Sequence, residues 1–278
     1  MATRRTPGPP KAGNIRAGMG GWTFAPWRDN FYPGDLIQRE ELSWASRQVT
    51  SIEINGTYYR AQSQATYERW ASETPPGFVF SVKAPRRIVQ TRALDDTGEQ
   101  VTRFLQGLTA LGDRLGPVLW QFMPTRTFDP DTLRRFFDLL PDAINGLALR
   151  HAIEVRHDSF LCDEYLALAR TRGVATVFTD SPDYPSLADL TGPFVYARLM
   201  RSVASRKTGY TAPDLKRWAD RAKAWAAGKD PADLPHVSDA APSHGPRDVF
   251  VYFISAAKER NPAAAMAFLQ QPGIAHTA

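Results

Sequence analysis

The sequence predicts a single α/β domain, a (β/α)8 barrel of TIM type, from three observations. Eight short apolar runs alternate with longer amphipathic stretches along the chain. Strands that alternate with helices pair in parallel, and eight such units close on themselves. The 278 residues, 43% of them hydrophobic, are enough for one large core and no obvious second one.

Residues 1–13, rich in Pro and Gly and carrying Arg4, Arg5 and Lys11, read as a flexible basic tail. Residues 14–271 read as the barrel and 272–278 as a C-terminal tail. The expected strands are Ile15–Gly20, Ser51–Asn55, Phe78–Lys83, Pro117–Phe122, His151–Arg156, Val174–Asp180, Phe194–Leu199 and Val249–Ile254. Helical patterns cover Glu40–Gln48, Ser63–Glu73, Gly98–Gly112, Asp131–Leu140, Cys162–Arg172 and Ala212–Ala226. Asp129-Pro130 and Thr211 are start signals. The sixth connection, Asp180 to Gly192, is short and rich in Ser and Pro, so a vestigial helix is expected there. Gly228–Gly245 reads as a surface loop, and Gly18, Gly20 and Gly21 as a tight turn after the first strand.

Composition narrows the function classes. The net charge is +5, but the basic tail supplies much of it, so the pI argues only weakly for nucleic acid. No apolar run is long enough to cross a bilayer, and no secretory h-region follows Met1. Cys162 is the one cysteine, which rules out an intrachain disulfide and multi-cysteine metal sites. A cytoplasmic protein is expected, with no membrane partner; composition leaves the oligomeric state open. No Walker loop, nucleophile elbow, HExxH or complete dinucleotide fingerprint occurs, so neither a cofactor nor a metal site is expected.

Period-two alternation sorts each strand into an inner and a helix-facing set. With Phe78, Phe80 and Val82 facing the helices, Ser81 and Lys83 fall inside. The same parity puts Glu53, Asn55, Gln121, Glu154, Arg156, Asp180 and Arg198 inside. Glu53, Glu154 and Asp180 thus meet Lys83, Arg156 and Arg198, mostly late in their strands, where barrel enzymes build their sites. Such a set is either an ion-pair plug or a ligand site. Replacing buried ion pairs by apolar groups is often neutral or stabilising, which favours the ligand site. His157, at a strand end, is a candidate acid or base, with a capping role as the alternative. His151 reads as structural, and His236, His244 and His276 lack ligand spacing. Trp22, Trp27, Phe31 and Tyr32 form either an aromatic ligand wall or packing over the mouth. Trp44, Trp70, Trp218 and Trp225 read as interhelix packing.

These residues carry a resemblance to the domain-of-unknown-function family 72, the YecE-like proteins, from about Ile15 to Leu269. The matching stretches include Gly20-Gly21-Trp22, Glu53-Ile54-Asn55-Gly56-Thr57-Tyr58-Tyr59-Arg60, Phe80-Ser81-Val82-Lys83-Ala84-Pro85-Arg86, Glu154-Val155-Arg156-His157 and Val195-Tyr196-Ala197-Arg198-Leu199. The resemblance implies a TIM-type barrel and supplies no activity. Three mouth positions depart from it. Val89-Gln90 stand where the family has Thr-His, Met200-Arg201 where it has His-Gly, and Ile254-Ser255-Ala256 where it has Asn-Asn-Asp.

The leading functional expectation is a pocket for a small anionic, sugar- or phosphate-like metabolite, in an acid/base hydrolase or isomerase. Lys83, Arg156 and Arg198 would hold the anion, with Trp22, Asn55, Tyr59 and Gln121 completing the ligand-binding set. Glu53 or Glu154 would be the general base, with Asp180 and His157 as further catalytic candidates. One alternative is a non-catalytic binding or partner protein that has lost its rim residues. Another is a metal-dependent phosphodiester hydrolase using Glu53, Glu154, Asp180 and His157, which the shortage of histidines disfavours.

Overall fold

A computed structural model describes residues 12–238 and 245–274. Eight parallel strands close into a barrel: β1 Ile15–Gly20, β2 Ser51–Ile54, β3 Val79–Lys83, β4 Leu115–Gln121, β5 His151–Glu154, β6 Ala175–Asp180, β7 Phe194–Leu199 and β8 Asp248–Phe253. Closure is made by β1, which pairs with β8 from Ile15↔Val249 to Met19↔Phe253 and with β2 from Gly18↔Ser51 to Gly20↔Glu53. A register shift between β3 and β4, at Phe80–Val82, is the one irregularity recorded in the barrel's pairing.

The helices are α1 Glu41–Ala45, α2 Gln64–Glu73, α3 Arg86–Val89, α4 Gly98–Leu108, α5 Pro130–Asp138, α6 Asp163–Thr171, α7 Ala212–Ala226 and α8 Asn261–Leu269. Ser63, Asp129 and Thr211 cap α2, α5 and α7, and Thr211 with Asp214 forms a full capping box. The helix expected through Gly112 stops at Leu108. It tightens into a 3-10 turn in which Gly112 takes φ 54°. Helix α8 has no sequence signature because it lacks a polar face: Ala264, Ala265, Phe268 and Leu269 are all buried. Among the described residues no helix is long and apolar enough to cross a membrane.

No helix follows β6. The extended stretch 181–193 buries Leu187, Ala188 and Leu190 in its place. Extended chain cannot satisfy its own amides, so it borrows partners from the loop after α7. Ala188 N donates to Pro235 O at 2.9 Å, and Asp189 accepts from Val237 N and Ser238 N at 2.9 and 3.0 Å.

The turn reading of the glycines holds only for Gly21, at φ 75°. Gly18 is a strand residue facing inward, where a Cβ would sit 1.7 Å from Ser51 O. It is needed so that β1 can approach β2. Both stretches read as tails are partly pinned: Gly13 N donates to Ala226 O, and Ile274 is buried. Residues 1–11 and 275–278, with His276, lie outside the described residues, as does His244 in the loop before β8.

Candidate functional site

Alternation places the inner side chains as expected on most strands. Leu119, Ala152, Ala175, Val177, Phe194, Tyr196, Phe250 and Tyr252 pack as one interior cluster, separate from the layer between strands and helices. Above them, toward the C-terminal ends of the strands, five polar residues converge. Glu53 and Glu154 are fully buried, and Lys83, Gln121 and Arg198 nearly so.

Arg198 lies between the two carboxylates. Its Nε and Nη2 donate to Glu53 Oε2 and Oε1, both at 3.1 Å, and its Nη1 to Glu154 Oε2 at 2.5 Å. Tyr196 donates its hydroxyl to Glu53 Oε2 at 2.7 Å and is itself held by Ser81 Oγ. Glu154 also accepts from Gln121 Nε2 at 2.9 Å and from Arg156 Nε at 2.7 Å. Burial pushes the Glu154 carboxyl up, but Arg198 and Arg156 outweigh it and hold the group down to about 2. Arg198, expected as an anion ligand, thus gives three of its N–H groups to carboxylates, and the expected bases are clamped as hydrogen-bond acceptors.

A cavity of about 390 Å3 opens over this network. Lys83, Arg156, Arg198 and Lys258 line it, with Asn55, Tyr59 and Gln121, and among the described residues no carboxylate does. Lys83 is the last residue of β3, its carbonyl fixed by Thr57 Oγ1 at 2.6 Å. Its Nζ lies 4.2 Å from the centroid of the Tyr58 ring. Among the described residues that Nζ makes no hydrogen bond and no ion pair. Burial, with the nearby Arg198, lowers the Lys83 ammonium to about 8, despite the opposing pull of Glu53 and Glu154. Arg156 lays its guanidinium over Tyr184 at 4.0 Å from the centroid, while its Nε is taken by Glu154. Lys258 stands over Phe24 at 4.2 Å, and burial lowers its ammonium below the ordinary lysine value.

Three expected site residues lie elsewhere. Asp180 is on the helix-facing side of β6. Ala175 and Val177 set the inner parity, and Phe178 packs outward on Trp218 and Trp225. With apolar residues on both faces of this strand, alternation gave no unique parity, which corrects the inward assignment. Asp180 instead accepts from Arg201 Nε at 2.8 Å. His157 caps the short turn Asp158–Phe160, accepting from Ser159 N at 3.2 Å, and does not line the cavity. Trp22 packs edge-on to Trp70 at 5.0 Å and against Phe80, in the outer layer rather than as a ligand wall. His151, between Trp120 Nε1 and Pro141 O, is structural.

Sequence reading missed Tyr196 and Tyr252, although their parity matches that of Arg198, because it left phenol hydroxyls out of the inner polar set. It also missed Lys258, in the loop after the last strand, and Asn261, which begins α8; neither belongs to a periodic pattern. Asn261 is buried and shapes that loop, accepting from Ser202 Oγ at 2.9 Å and donating to Ser255 O at 3.2 Å. Within it Ser255 and Ala256 take φ 58° and 46°. Ile254 and Ser255 line the cavity, whereas the other departures from the family pattern, Val89-Gln90 and Met200-Arg201, do not. Val89 is buried in the core, Gln90 donates to the Tyr58 hydroxyl, and Arg201 serves Asp180.

A closed parallel barrel with its charged side chains gathered at the strands' C-terminal ends defines a TIM-type barrel protein. Within that class the chain belongs to the family described as protein of unknown function DUF72, whose profile matches residues 16–278. It is 33% identical over 144 residues to the UPF0759 protein YecE of Escherichia coli strain K12, covering 49% of this chain and 50% of that protein. It is 28% identical over 116 residues to the UPF0759 protein YunF of Bacillus subtilis strain 168, covering 40% of each. The alignment thus spans about half the length, or less, of these curated relatives. Among solved structures, a DUF72 family protein of Thermotoga maritima MSB8 matches with TM-score 0.68 and 22% identity, over 92% of this chain and 97% of that one. Another, from Enterococcus faecalis V583, matches with TM-score 0.66 and 18% identity, over 93% and 97%. At these identities the structures bear on the fold alone.

Proposed function

We propose that the barrel mouth binds a small anionic metabolite, sugar- or phosphate-like, and that the protein acts on it as a hydrolase or isomerase. The observation that carries this reading is the unpartnered ammonium of Lys83, buried in a cavity that four cations line. A lone buried charge is costly unless a counter-charge arrives, and a bound anion would supply one. Arg156 is fixed by Glu154 and Tyr184, so its terminal nitrogens are held ready for an oxyanion. Arg198 lines the cavity floor and braces Glu53 and Glu154 with three of its N–H groups.

A second reading, a binding protein without chemistry, gains support from Glu154. A carboxyl held to about 2 is a poor proton acceptor at neutral pH. The metal-dependent reading finds no ligand set: among the described residues no group of three or more His, Cys, Asp or Glu is placed to hold an ion.

Thermal melts with inorganic phosphate and a panel of sugar phosphates test the proposal. Binding should stabilise the protein by about 2.7 kcal/mol at a hundredfold excess over Kd. Lys83→Met should abolish that gain while remaining folded. Absence of any anion-dependent shift in the wild type would overturn the reading.

A further inference from the structure

We infer that Lys83 is a nucleophilic amine that condenses with the carbonyl of a small phosphorylated aldehyde or ketone to form an imine. The inference rests on the anion-binding reading of the same cavity and extends it to a covalent step.

The geometry supplies what imine chemistry requires of a lysine. The amine must be immobilised, accessible to a ligand, and not tied up by a hydrogen-bond acceptor. Lys83 ends β3, where Thr57 Oγ1 holds its carbonyl and Ala84 N donates to Leu119 O at 2.9 Å. Its stem is buried, and its Nζ faces the cavity over the Tyr58 ring without a carboxylate partner. The two glutamates that could have neutralised it are occupied by Arg198, Arg156, Gln121 and Tyr196. The network below thus leaves Lys83 unpaired among other cations, the environment that lowers an amine's proton affinity. With the ammonium lowered to about 8, roughly one amine in ten is neutral at pH 7.

The step balances without another reactant. The neutral amine's lone pair attacks the carbonyl carbon, forming a C–N bond, and a proton passes from nitrogen to the carbonyl oxygen. The carbinolamine C–O bond then breaks, its oxygen leaves as water after taking a second proton, and a protonated imine remains. Overall one ammonium and one carbonyl become one iminium and one water. The positive charge on nitrogen is the same before and after, so Tyr58, Glu53 and Glu154 face an iminium as they faced the ammonium. Arg156 and Lys258, on the same cavity, would receive the phosphate.

The test uses the wild-type protein with glyceraldehyde 3-phosphate and, separately, plain glyceraldehyde, each with sodium cyanoborohydride at pH 8. Reduced adducts are located by peptide mass mapping, and Lys83→Arg, checked for its fold by circular dichroism, gives the background. We expect one adduct per chain, on Lys83, forming at least tenfold faster than on Lys258 or any other lysine. Its rate should rise with pH about a midpoint near 8. An unlabelled Lys83, or labelling spread among lysines within about threefold, overturns the inference. The two readings fail differently. Phosphate-dependent stabilisation without Lys83 labelling would leave the anion site standing and sink the imine. Equal labelling by both aldehydes with no effect of added phosphate would support the imine and sink the anion site.

Discussion

Arg198 holds Glu53 through two parallel contacts, Nε to Oε2 and Nη2 to Oε1, each 3.1 Å long. Both side chains are out of water, so neither can lose its partner without leaving a buried charge. Arg198→Ala should therefore cost about 3–5 kcal/mol in urea unfolding, a loss of fold rather than of ligand contact. A change under 1 kcal/mol would show that the pair is solvated in solution.

Glu154 should govern acid stability. Its carboxyl sits at about 2 in the folded protein against 4.5 when free, so its contribution is complete above about 4.5 and fades as pH falls toward 2. Wild type should exceed Glu154→Gln at neutral pH, and the gap should shrink by on the order of 3 kcal/mol between pH 5 and 2. A gap that stays constant through acid would contradict the assignment.

Lys83 works in the opposite sense. Its folded value of about 8 lies below the free 10.5, so the unfolded chain binds more protons between those values and stability rises with pH there. Lys83→Met removes this penalty. Its advantage over wild type should be greatest below pH 8 and should diminish by on the order of 3 kcal/mol toward pH 10.5. Chemical unfolding of the pair at matched pH checks it.

The left-handed Ala256, at φ 46°, places a Cβ residue in backbone better suited to Gly, Asn or Asp. Ala256→Gly should raise stability by roughly 0.5–1 kcal/mol, strain relief outweighing backbone entropy. The family resemblance puts Asp at this position and Asn at Ser255, both tolerant of that conformation.

Gly18→Ala should behave very differently. Its Cβ would fall inside Ser51 O, at the seam that closes the barrel. Destabilisation above about 4 kcal/mol, or failure to fold, is expected in thermal melts.

All eight strands were legible because each is a short apolar run bounded by turn residues, and inward placement followed wherever one face was clearly apolar. Phe80-Ser81-Val82-Lys83 is such a case; Val177-Phe178-Thr179-Asp180 is not, and there the parity failed. Helix α8 was invisible because a helix apolar all round has no period. The charged cluster could be read, but not its pairing. Which cation would be left over depends on Arg198 reaching both Glu53 and Glu154, a three-dimensional fact with no counterpart in spacing.

The borrowed hydrogen bonds of the helixless stretch after β6 also set an order of assembly. Asp189 reaches its partner Ser238 across 49 residues of chain. On a ribosome adding 5–20 residues per second, that side of the barrel must wait roughly 2–10 s for its acceptor to meet its donor. Until then Ala188 N and the Asp189 carboxylate lack these partners, and the stretch is held by upstream contacts such as Arg170 Nε to Leu190 O at 3.2 Å. The nascent chain therefore carries a loosely held apolar stretch at this point, a segment that a chaperone could protect.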